Sequence, residues 1–218
     1  MVIDLQKNKE RFEELVKKYI KRDGVEKLLN WLEKKSDFYS APASTKYHLA
    51  VEGGLVQHSL NVFDQLVKLC NCHYAKSECL SPMIDATTIY GKEGDYLAFT
   101  IEQIAVVALF HDICKANCYV KDFKNVKVNG KWEQQEYWKW DEKFVYPGHG
   151  AKSVYIVQQF MRLSIPEAQA IATHMGAAGN PLDELKCKYF ASVFEELPLA
   201  VLLNVADTIS TFLLERRS

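Results

Sequence analysis

The stretch ALFHDICKA, residues 108–116, sets His111 beside Asp112 at the end of an unbroken apolar run, with Lys115 one turn further on. Imidazole and carboxylate donors side by side at the edge of a core suit metal binding. Similar residues recur in similar surroundings. His58 falls three residues after Leu55 and four before Val62, on the apolar stripe of LVQHSLNVFDQLVKLC. Asp207 lies between Leu203 and Ser210 in PLAVLLNVADTISTFLLERR, and Asp112 follows Ala105 and Leu109, both at helical spacing. His149 and His174 stand where helices begin and end, in PGHGAKS and ATHMGAAG.

Each residue taken singly has an ordinary reading. A buried histidine is usually a hydrogen-bonded core residue, and a mid-helix aspartate can pair with Lys or Arg. The set asks for more, because inward aspartates and histidines on three separate helical segments need a compensating charge. A divalent metal supplies it, and nitrogen with carboxylate oxygen suits Mn, Fe, Co, Ni or Zn without any thiolate.

The elements that must position these residues read as helices almost throughout. VIDLQKNKERFEELVKKYI and VEKLLNWLEKK carry helical stripes, and GGLVQHSLNVFDQLVKLC is a clear helix behind a glycine pair. FTIEQIAVVALFHDICK is apolar on every side from Ile104 to Phe110, which predicts a central helix over 98–115. Residues 71–95 read as mostly irregular. Helices are expected again in AKSVYIVQQFMRL, in IPEAQAIATHM with Pro166 in its first turn, and in the C-terminal segment. Between them, CYVKDFKNVKVNGKWEQQEYWKWDEKF alternates aromatic and β-branched residues with Lys and Glu around Asn129–Gly130. That pattern predicts a β-hairpin over about 119–141. The expectation is one all-α domain over residues 1–218, with the N-terminal helices 1–35 packed on it and a single hairpin insertion.

A chain of 218 residues, 48% hydrophobic, 25% charged and with formal net charge −1, has the composition of a globular protein. Its charge balance offers no global attraction to nucleic acid or to an anionic membrane. The charged N-terminus lacks the apolar core of a signal peptide and no run approaches a membrane span, so a cytoplasmic location is expected. The six cysteines are then expected to be reduced. Cys70, Cys72, His73 and Cys79 do not match paired CxxC knuckles and are read as thiols without zinc. No Walker loop is present, and the glycines of GHG read as turn and helix-start residues.

The order His … His-Asp … Asp resembles the HD-domain superfamily of metal-dependent phosphohydrolases. HDICK is similar to the HD-x-x-K form of that motif, and EGGLVQHSLNV resembles the segment carrying the first metal histidine. The resemblance runs from about residue 36 to 214. It implies an HD-like helical bundle in which His58, His111, Asp112 and Asp207 hold a first metal. Asp112 would bridge to a second metal held by His149 and His174, and Lys115 would face a substrate phosphate. One or two divalent ions are implied, with Mg added to the candidates above. His48, in TKYHLAVEGG, is a rim candidate as proton donor or phosphate contact, or equally an ordinary loop histidine. Cys114 and Cys118 depart from the pattern and suggest sensitivity to oxidation or soft metals.

The implied reaction is hydrolysis of a phosphomonoester or phosphodiester, by a metal-activated water, on a nucleotide or related small ester. Tyr47, Phe123, Trp138 and Trp140 would either stack on a base or pack the hairpin onto the helices, and packing is the preferred reading. A non-hydrolytic sensor and an exonuclease-like activity on single strands are the alternatives. Lys121, Lys124, Lys127 and Lys131 could track phosphates, but Asp122, Glu133, Glu136, Asp141 and Glu142 dilute them.

Overall fold

The computed structural model describes residues 3–74, 89–91, 98–143, 148–176 and 184–215. It is mainly helical, with two small antiparallel sheets. Helix α1 (Leu5–Tyr19) starts at an Asp4 cap, whose carboxylate accepts from the Lys7 amide at 3.0 Å. It buries Phe12, Val16 and Tyr19, while α2 (Val25–Lys35) buries Val25, Leu28, Leu29 and Leu32. The α3 helix (Gly54–Tyr74) presents Leu55, Val62 and Leu66, with His58 among them, to α4 and α8. It runs on through residues 71–74, which the sequence pattern had suggested were irregular. Residues 75–88 and 92–97 of that segment lie outside the described residues.

The central helix α4 (Ile101–Phe110) is shorter than the predicted 98–115, because both ends have reasons to stop. Phe99–Thr100 (β2) pairs with Ile89–Tyr90 (β1) in a two-stranded sheet that periodicity did not reveal. Thr100 then caps α4 reciprocally with Gln103. At the other end His111 and Asp112 form a turn, and Ile113–Lys115 tightens into a 3₁₀ segment closed by Lys115 N–H donating to Asp112 O at 3.0 Å. Ile101 and every residue from Ile104 to Phe110 are buried, as an all-round apolar helix requires. Phe110 meets Phe12 edge-on at 5.9 Å, joining α1 to the centre.

The hairpin forms as predicted. Strands β3 (Tyr119–Val128) and β4 (Lys131–Trp140) pair from Tyr119↔Trp140 to Val128↔Lys131. Asn129 and Gly130 take φ of 50° and 82°, the double left-handed conformation of a tight hairpin turn. The ribbon is solvated along most of its length and joins the core only at its foot, through Tyr119, Trp138 and Trp140.

Helices α5 (His149–Gln158), α6 (Ile165–Thr173), α7 (Glu184–Glu196) and α8 (Pro198–Ile209) complete the chain. Sequence periodicity did not single out α7. The first turn of α6 holds Pro166 behind a Ser164–Glu167 capping box, and buried Glu167 also receives both guanidinium nitrogens of Arg22 at 2.5 and 2.7 Å. Gly150 lets α5 lie against α6, since a Cβ there would overlap the carbonyl oxygens of Ile171 and Ala172. Among the described residues, no single helix is long and apolar enough to cross a membrane. Cys70, Cys72, Cys114 and Cys118 are free thiols. Cys79 and the Cys187 side chain lie outside the described residues.

Candidate metal centre

Five of the seven histidines and aspartates singled out as site candidates from sequence meet at the inner end of α4. His58 comes from α3, His111 and Asp112 from the turn after α4, His174 from the turn after α6, and Asp207 from α8. His58 Nε2 lies 3.2 Å from His111 Nε2, 3.2 Å from Asp207 Oδ1 and 3.5 Å from Asp112 Oδ2. His111 Nε2 and His174 Nε2 are each 3.5 Å from an Asp112 oxygen. Donors sharing one ion at about 2.0–2.2 Å would lie about 2.9–3.5 Å apart, so these separations suit a common cation.

The outer ring nitrogens prepare that role. His111 Nδ1 donates to Ala108 O at 2.9 Å and His174 Nδ1 donates to Ile171 O at 2.7 Å. In its neutral form each imidazole then aims an Nε2 lone pair inward, although at His174 burial is outweighed by Asp112, which raises the pKa. Each bond reaches back three residues along its own helix, which explains why both histidines stand directly after a helix end.

Two atoms decide what the set requires. Asp112 Oδ1 and His174 Nε2 are buried, face each other at 3.5 Å and have no hydrogen-bond partner. Buried polar atoms seldom go unsatisfied, and a cation between them would satisfy both. The buried His, Asp and Glu groups could hold a metal ion.

Electrostatics point the same way. Burial raises the cost of charge on Asp112, but Lys115 and His111 outweigh it and hold the carboxyl well below the ordinary range. Lys115 Nζ sits 2.6 Å from Asp112 Oδ2, and that carboxylate raises its pKa despite burial. Burial opposes the charge on His58 as well, yet Glu215 and Asp207 lift its pKa to about 10. Without an ion, His58 is thus a cation between two carboxylates, and metal binding at Nε2 must displace its proton. Burial, helped by His174, outweighs Asp112 and lowers the His111 pKa, which favours the neutral ring that a ligand needs.

Glu215 escaped the sequence reading. Its carboxylate accepts from His48 Nδ1 at 2.6 Å, from His58 Nδ1 at 3.0 Å and from Asn61 Nδ2 at 2.8 Å. Burial opposes its ionisation, but His58 and His48 draw its pKa down to about 2. Helical counting from Asp207 puts Leu214 on the inward face, and a π turn over Ser210–Leu214 shifts the register so that Glu215 takes that place. A carboxylate directly after the apolar run TFLL was the one signal in the sequence.

His48 and His149 are placed apart from the five. His48 is a rim residue bound to Glu215, with its ring edge-on to His58 at 4.8 Å. His149 opens α5 with Nδ1 3.9 Å from Cys114 Sγ and its ring against Trp140. It joins none of the donor groups, and His174 falls in with His111 and Asp112 instead of with His149. Among the described residues, the donors close enough to share an ion form three overlapping groups, His48–His58–Glu215, His58–His111–Asp207 and His111–Asp112–His174, while His149 lies outside them but near enough to Asp112 and His174 to feel their charge. Both outlying histidines line a cleft of about 880 Å³ with Lys115, Tyr47, Trp140 and Phe212. Of the aromatics considered for stacking, Tyr47 and Trp140 face this cleft and Phe123 and Trp138 do not.

Comparisons of the chain with family models, with curated proteins and with solved structures return no match.

Proposed function

We propose that this protein is a metal-dependent phosphohydrolase of the HD-domain type, acting on a nucleotide or related small phosphate ester. The observation that carries the reading is the facing pair of unsatisfied atoms, Asp112 Oδ1 and His174 Nε2, within a set that includes the adjacent His111–Asp112. His58, His111, Asp112, His174 and Asp207 would hold the ion. When bound, a divalent metal there polarises a phosphoryl oxygen and activates water. Lys115 reaches both Asp112 and the cleft, so its ammonium is placed to neutralise charge on a phosphate drawn against the site. Glu215 fixes the His48 ring, whose position on the cleft wall suits contact with the departing oxygen. Tyr47, Trp140 and Phe212 supply flat apolar surface for a base.

One observation favours a second reading, an exonuclease-like activity on single strands. The register places Tyr119, Phe123, Trp132, Trp138 and Trp140 on one ribbon face, continuous with the cleft. Of the two lysines on that face, Lys121 is paired with Glu136 at 3.1 Å, which leaves Lys127 as the remaining positive charge to track a backbone, so the small ester is preferred.

A hydrolysis screen over nucleotides, cyclic dinucleotides, model phosphodiesters and a single-stranded oligonucleotide, with Mn, Mg, Co and Ni, tests both readings. Asp112→Ala is expected to abolish metal retention and all hydrolysis. Full metal content in Asp112→Ala would place the site elsewhere.

A further inference from the structure

At the foot of the ribbon, three side chains that the proposed reaction does not use converge. Cys118 immediately precedes β3, Glu142 follows β4, and Lys152 lies in the first turn of α5. Lys152 Nζ donates to Cys118 Sγ at 3.0 Å and to Glu142 Oε1 at 2.6 Å. Cys118 is 3% exposed and Lys152 8%, a degree of burial that lysine seldom reaches without partners. Lys152 and Glu142 also line the cleft, which gives small molecules a route to this cluster. Cys114, the neighbouring buried thiol, faces His149 Nδ1 at 3.9 Å instead of an amine.

An amine held against a thiol is the arrangement that intercepts an oxidised sulfur. A sulfenic acid condenses with a thiol or with a backbone nitrogen, and at Cys118 the nitrogen at contact distance is a lysine amine. We propose that Cys118 and Lys152 form an oxidative modification site, in which hydrogen peroxide produces a reversible sulfur–nitrogen cross-link between them. In the first step one peroxide oxygen is transferred to Sγ, giving the sulfenic acid and one water. Sulfur is oxidised by two electrons and the peroxide is reduced. In the second step Lys152 Nζ gives up its ammonium proton, with the Glu142 carboxylate 2.6 Å away to receive it, and attacks Sγ. The nitrogen–sulfur bond forms as the sulfur–oxygen bond breaks, and the hydroxyl leaves with a second amine proton as water. Two equivalents of a small thiol reverse the product, restoring thiol and amine and leaving a disulfide of the reductant.

Burial raises the Cys118 pKa and the Lys152 ammonium only partly opposes it, so the first step is slow and needs sustained peroxide. The product would tie the start of the ribbon to the helix that begins with His149, across 34 residues of chain. This inference does not depend on the phosphohydrolase reading.

The test is peptide mapping of the purified protein after prolonged exposure to excess peroxide, with free thiols blocked and digestion under non-reducing conditions. The expected result is a linked pair of peptides carrying Cys118 and Lys152, lighter than their sum by two hydrogens and lost after dithiothreitol. Lys152→Arg keeps the charge beside Glu142 but removes the reactive amine, and should yield no linked pair. Recovery of Cys118 from the wild-type protein as an unmodified thiol or a sulfinic acid, with Lys152 unlinked, would overturn the proposal. So would a linked pair persisting in Lys152→Arg. The wild-type measurement stands alone if the variant fails to fold.

Discussion

The ribbon and the donor set are built on opposite principles. Between Tyr119 and Trp140 each residue finds its partner across a two-residue turn, and the tip is solvated, with Phe123 60% and Trp132 71% exposed. The donor set joins residues as distant as His58 and Asp207, and His58, His111, Asp112 and His174 are all buried. A local structure tolerates damage locally, whereas a set gathered from several helices inherits every fault of the core that holds them.

The widest contrast should come from Phe110→Ala. Removing this fully buried ring should cost about 3–5 kcal/mol and loosen the helix end that carries His111 and Asp112. Denaturant titration with and without metal checks it, and unchanged metal affinity at reduced stability would break the comparison. Next in size, with His58 a ligand as proposed, Glu215→Gln should weaken metal binding roughly 10–100-fold, the usual cost of removing a carboxylate that orients a ligating histidine. Competition against a chelator measures it.

The same residue sharpens the contrast through pH. In chelated protein, Glu215 has a folded pKa of about 2, so its contribution is present above its ordinary 4.5 and lost as pH falls toward 2. His58 has a folded pKa raised to about 10, so its contribution is full below its ordinary 6.5 and lost as pH rises toward 10. Stability of the metal-free protein should therefore peak between those windows. Glu215→Gln should flatten the acid limb and weaken the alkaline one, as read by denaturant titration across pH.

Smaller effects belong to the ribbon. Gly130→Ala forces a Cβ into φ of 82° and should cost the turn about 1–2 kcal/mol. Amide exchange should quicken in the strands while the global unfolding midpoint hardly moves. Trp132→Ala should fall within about 0.5 kcal/mol of wild type, since its side chain is largely solvated. A large global loss from either would mean that the ribbon and core unfold together.

The predicted hairpin and the central apolar helix are both present, because alternation, an Asn-Gly pair and an all-round apolar run act over a few residues. His58, Asp112 and Asp207 were legible as candidates because a polar residue on an apolar stripe is out of place by its chemistry alone. Local pattern could not supply α7, the β1–β2 pair or the early end of α4, since these depend on what each segment packs against.

The sequence by itself determined which side chains could serve as ligands and which helix faces they would occupy, because side-chain chemistry and helical period are properties of the chain. Only the tertiary structure decided which of them meet. It drew His174 to Asp112, left His149 on the cleft wall, and brought Glu215 beneath His58 through a π turn. Those outcomes follow from how helices far apart in the chain pack and shift register. They are distances between elements, which no spacing along one element contains.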